Sequence, residues 1–136
     1  MRLIFCLLIL AYGCENSDNE PDCSGVACTL EFRTIGVSVS DPSGVAIPLD
    51  VYEVREVSGG ANVTPEYTPT ELEGYRESNS YPILTDSRLG ELRNKRVSLE
   101  FRGFANGTLV ASRIFLAGAD CCHVALFQGD PEIVIE

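Results

Sequence analysis

Tryptophan is absent from the chain, and histidine, lysine and methionine occur once each, as His123, Lys95 and Met1. Without an indole there is no large aromatic face of the kind that stacks on sugar rings. With one imidazole, a Ser-His-Asp or Cys-His relay would have to run through His123, which follows two cysteines directly. The chain has no Gly-x-Ser-x-Gly elbow, no phosphate-binding glycine loop and no His-Glu-x-x-His pair. Bases are scarce too: ten Lys and Arg stand against twenty Asp and Glu, for a net charge of −10. Nucleic-acid binding needs clustered cations facing phosphates. The densest basic run, Arg88 with Arg93-Asn94-Lys95-Arg96, is expected to be a solvated turn. Nucleic acid is therefore not expected as a partner, nor is a Lys–Asn crosslink through Lys95. The remaining enzymatic option is hydrolysis by a carboxylate pair drawn from Glu66, Glu71 and Glu73. A chain of 136 residues leaves little room for the cleft this requires, so the protein is expected not to be an enzyme and to need no cofactor.

What is present begins with Arg2 and an apolar run that ends at Gly13-Cys14. The run is too short to span a bilayer and reads as a signal peptide over residues 1–13. Its Gly-Cys ending resembles the lipobox of bacterial lipoproteins, although Ala11 and Tyr12 depart from the residues that family prefers. The resemblance implies diacylglycerol on Cys14, which becomes the mature N-terminus, and more than one acyl chain makes such anchoring durable. Ordinary secretory cleavage, leaving Cys14 free or paired, is the alternative. Residues 14–22 then form a tether: Glu15 to Asp22 carries four acids, no base and no apolar side chain. An acidic stretch behind the lipid cysteine also resembles the surface-export signal of Bacteroidetes lipoproteins. The implied location is the outer membrane, on its periplasmic or surface face, with the lipid bilayer as one partner and an envelope protein as a possible second.

Residues 23–136 read as one β-rich domain. Leu30, Phe32 and Thr34 alternate with Glu31 and Arg33, and Ile35, Val37 and Val39 continue after a one-residue slip, which predicts a bulge or a strand that changes sheet. Asp41-Pro42-Ser43-Gly44 is a turn signal. The run Val45–Val57 follows, with Pro48 demoting its first half to an edge or a kink. Ser58–Ser80, rich in Gly and Pro, reads as a long loop with one or two short strands, the kind of segment that often carries binding residues. Tyr81–Thr85 reads as a strand and Asp86–Leu92 as one helical turn. Asn106-Gly107 sits between two alternating runs and predicts a type I′ hairpin whose return strand, Thr108–Leu116, is apolar on both faces and is expected to be covered on both. Strands at Cys122–Phe127 and Glu132–Glu136 complete an all-β, seven- to eight-stranded two-sheet sandwich with no substantial helix beyond the signal peptide.

Ile35–Leu49, in which a strand runs into Asp41-x-x-Gly44 and the next begins with a small residue and Pro48, is similar to the opening of carboxypeptidase-regulatory-like and other transthyretin- and Ig-like sandwich domains. Gly118-Ala-Asp-Cys-Cys-His-Val124 and the closing Gly129-Asp-Pro-Glu-Ile-Val-Ile135 also resemble small cysteine-containing Bacteroidetes lipoproteins. These likenesses imply a fold and a location, and the first covers a turn signature rather than a site.

Four of the six cysteines lie in the domain: Cys23, Cys28, Cys121 and Cys122. In an exported chain an even set is first a disulfide set. A bridge between adjacent Cys121 and Cys122 is strained. On a strand the two side chains would leave opposite faces, each needing its own partner. Cys23 and Cys28 supply those partners, in either pairing. The alternative is a zinc- or copper-binding lipoprotein that uses the same four thiolates with His123. Function is accordingly expected to be that of a non-enzymatic, lipid-anchored envelope protein, an accessory or binding module whose ligand the sequence does not name.

Overall fold

A computed structural model describes residues 22–136 of the chain; the expected signal peptide, Cys14 and the expected tether up to residue 21 lie outside the described residues. Seven strands form two sheets. In chain order they are β1 (Thr34–Ser40), β2 (Val51–Glu56), β3 (Tyr81–Thr85), β4 (Arg96–Ala105), β5 (Thr108–Ala119), β6 (Val124–Gln128) and β7 (Glu132–Val134). The small sheet has the order β3-β1-β7, with β7 parallel to β1, and the large sheet runs β2-β4-β5-β6, antiparallel throughout. Two helices, α1 (Pro69–Ser78) and the single-turn α2 (Leu89–Leu92), complete the domain. The expected all-β two-sheet sandwich is thus observed.

The core lies between the sheets and follows the period-two pattern of each strand. Val37 and Val39 of β1 share one core with Val54, Leu99, Phe101 and Phe115 of the large sheet, all essentially inaccessible to solvent. Strand β3 is buried along Tyr81–Leu84. At the β4–β5 connection Asn106 and Gly107 both take positive φ, 51° and 74°, as a type I′ turn requires. Gly118 is needed for a different reason. A Cβ there would sit 2.0 Å from the carbonyl oxygen of Lys95, so only glycine lets β5 close on the start of β4.

The slip between Ile35 and Gly36 is a register shift in the β1–β3 pairing, where the alternation predicted a bulge. Other segments differ from the sequence reading. Thr29–Arg33 alternates like a strand, yet β1 starts only at Thr34, and Leu30 and Phe32 are solvent-exposed. Val45–Asp50 forms one isolated bridge, Ala46 to Ser40, because Pro48 has no N–H to give a ladder; β2 begins at Val51 and is an edge strand. Strand β5 is not covered on both faces, since Ile114, opposite Glu100, is 59% exposed. The loop expected over Ser58–Ser80 contains the ten-residue helix α1. Thr68 caps it, accepting from the Glu71 N–H while Glu71 accepts from the Thr68 N–H, and Pro69 occupies its first turn. Arg76 fixes the helix to the body by donating to the carbonyls of Leu49 and Asp50.

Candidate functional site

The four cysteines among the described residues gather at one end of the sandwich. Cys23 is bridged to Cys121 and Cys28 to Cys122, with Cα–Cα separations of 5.3 and 5.2 Å. Cys121 and Cys122 do not lie on a strand. They form a bend between β5 and β6, because Asp120 Oδ1 accepts from the N–H groups of both Cys122 and His123 and curls the backbone. Two neighbouring cysteines can therefore reach two different partners without the alternation of a strand. Asn94 Nδ2, at 3.3 Å, donates to Cys23 Sγ and ties the β4 approach to the same corner.

His123 is the hub of this end and, tyrosine hydroxyls aside, the one polar side chain among the buried residues described. Its Nδ1 lies 2.7 Å from Asp86 Oδ2, and its Nε2 lies 2.9 Å from Thr29 Oγ1. Asp86 also accepts from the N–H of Arg33 at 2.7 Å and of Val124 at 2.8 Å. One carboxylate and one imidazole thus join the segment before β1, the end of β3 and the start of β6. Burial pushes the Asp86 carboxyl up, but the Arg33 N–H, the His123 ring and the Val124 N–H together hold it below the usual range. The N–H groups of His123 and Cys122 lower Asp120 as well.

A hydroxyl, an imidazole and a carboxylate in this order are the parts of a nucleophilic relay. In the neutral ring Nδ1 carries the proton toward Asp86, and Nε2 accepts from Thr29. Acyl transfer also needs backbone donors aimed at an oxyanion. Here the N–H groups of Cys122, His123, Val124 and Arg33 all already donate to Asp120 or Asp86. The arrangement braces three chain segments and offers none of those donors to a reacting carbonyl. The sequence singled out His123 but gave no signal for Asp86 or Thr29, which lie 37 and 94 residues away from it.

The zinc or copper reading placed Cys23, Cys28, Cys121, Cys122 and His123 around one ion. All four sulfurs are bound to one another, which leaves no thiolate of this set to coordinate, and both nitrogens of His123 are engaged. Among the described residues no group of three or more His, Cys, Asp or Glu side chains is placed to hold a metal. The loop carboxylates are committed locally: Glu71 to the helix cap and Glu73 to Arg76 at 2.9 Å. Arg88 of the basic run is bound to Glu56 and Glu91 at 2.7 and 2.6 Å.

An open groove of ≈ 450 Å³ lies between the segment before β1 and the α1 region, with Phe32, Pro65, Glu66, Tyr75 and Pro82 in its walls. Behind it Tyr52 stacks on Tyr67 at 5.1 Å and on Phe101 at 5.8 Å, with Tyr75 and Tyr81 edge-on. Burial, with Tyr75 and Tyr67 adding to it, pushes the Tyr52 hydroxyl well above its ordinary range, and no partner meets that hydroxyl among the described residues. Tyr67, Tyr75 and Glu66 belong to the segment the sequence marked as a place for binding residues. No protein-family model, curated protein or solved structure matches this chain.

Proposed function

We propose that the protein is exported, anchored through a lipid on Cys14 in the outer membrane, on its periplasmic or surface face, and works there as a non-enzymatic accessory or binding module. The observation that carries this reading is the pair of disulfides, which tie residues 98 and 94 positions apart. Structural disulfides form and persist outside the reducing cytoplasm, and the apolar leader ending at Gly13-Cys14 supplies a route of export. The two-sheet sandwich with its Asp41–Gly44 turn fits the carboxypeptidase-regulatory-like likeness, and an envelope component is the expected partner.

Mass spectrometry of the non-reduced, membrane-extracted protein tests the reading directly. It expects diacylglycerol on Cys14, cross-linked peptides joining Cys23 to Cys121 and Cys28 to Cys122, and release of a Cys14→Ser variant from the membrane fraction. A mature chain free of lipid overturns the anchor, and free thiols with bound zinc or copper favour the metal-binding reading.

A further inference from the structure

Leu30 is fully exposed, Phe32 is 65% exposed and Val26 48% exposed, three apolar side chains within seven positions before β1. The segment is nonetheless held at both ends. The Cys28–Cys122 bridge and the Thr29–His123 contact fix one end, and the Arg33 backbone, which exchanges hydrogen bonds with the Asp86 carboxylate and N–H, fixes the other. Apolar groups presented on a fixed backbone face solvent at the same end of the sandwich as Cys23, where the tether joins the domain. Within a chain of net charge −10, Val26–Arg33 has one acid, Glu31, and one base, Arg33. It can approach a charged headgroup surface without the repulsion the rest of the molecule would meet.

We propose that this segment is a membrane-contact face, with Leu30 and Phe32 entering the boundary between headgroups and acyl chains of the bilayer that holds Cys14. The inference rests on the lipid anchor proposed above. Residues 14–22 reach at most roughly 30 Å when fully extended, which keeps this end of the domain within about one domain diameter of the lipid. Tethering makes insertion an intramolecular event at high effective concentration, so a small apolar face suffices.

The absence of tryptophan provides the test, because any introduced indole is a unique reporter. Leu30→Trp, Phe32→Trp and, as a control on the outer face of the large sheet, Ile114→Trp would be made in the full lipidated protein. Each would be reconstituted in phosphatidylcholine vesicles with and without brominated acyl chains. The expected result is a blue-shifted emission that brominated lipid quenches for Leu30→Trp and Phe32→Trp, with Ile114→Trp unaffected. Protein that floats with vesicles while Leu30→Trp and Phe32→Trp stay unquenched overturns the contact face and leaves the anchor standing, directing attention to a protein partner. Equal quenching at all three sites overturns it too. Protein that does not float with vesicles removes the anchor and this inference with it.

Discussion

At the scale of single residues, Asp86 carries the largest share of the architecture for its size. Its carboxylate, 9% exposed, accepts from two backbone N–H groups and the His123 ring. Asp86→Asn keeps the shape but turns an amide toward those donors, and is expected to destabilise by roughly 3 kcal/mol in urea unfolding. The pH dependence follows from the direction of the shifts. Asp86 and Asp120 are both held below the ordinary value of 3.8, so their contribution is complete above that value and is lost as pH falls through their lower folded values. Acid unfolding curves of the wild type and Asp86→Asn should therefore stand apart above the ordinary value of 3.8 and converge only as pH falls through the lowered folded value of Asp86; parallel curves would contradict the assignment. Tyr52 runs the other way. Its hydroxyl is buried without a partner among the described residues, so Tyr52→Phe should leave the melting point unchanged or raise stability by up to about 1 kcal/mol. A clear loss would mean the hydroxyl is bonded.

At the scale of elements, α1 tests how local chemistry makes a helix without an apolar stripe. Leu72 is its one buried residue, and Gly74 interrupts it, so hydrophobic periodicity gives no signal there. What holds it is the Thr68/Glu71 cap and Arg76 on the Leu49 and Asp50 carbonyls. Thr68→Ala should cost about 1 kcal/mol, read as a lower urea midpoint with an unchanged slope. Pro65, Pro69 and Gly74 read as loop punctuation, and no apolar period announced the helix that Thr68 and Glu71 cap. The hairpin was legible for the opposite reason: Asn106-Gly107 specifies its turn through backbone chemistry alone. Thr29–Arg33 misled because alternation reports which side chains suit a strand, not whether a neighbouring strand exists to pair with it. The His123 hub was half legible. The sequence marks a lone imidazole beside cysteines, while Asp86 and Thr29 come to it only through the fold.

At the scale of the molecule, the clasp closes the chain into loops of 98 and 94 positions. In the chain-entropy model, one bridge closing so long a loop contributes about 4–5 kcal/mol. The second bridge closes only the short circuit through residues 23–28 and 121–122, and adds roughly 2–3 kcal/mol. Removing either bridge alone, as Cys23→Ser/Cys121→Ser or Cys28→Ser/Cys122→Ser, should thus cost only the smaller amount, because the other still closes the long loop. Removing both should cost more than the sum of the two single losses, and calorimetry of the three variants checks it. Two-sheet topology and a sulfur link between the chain's ends were readable from strand rhythm and the even cysteine set; which sulfur meets which was not, because the pairing depends on the bend that Asp120 imposes.

The most direct test of the two-disulfide clasp is the thermal midpoint of the protein with and without strong reductant. With the larger part of a small domain's stability residing in two bridges, reductant should lower the midpoint by more than about 20 °C. A midpoint that stays in place once all four thiols are shown to be free would contradict the account.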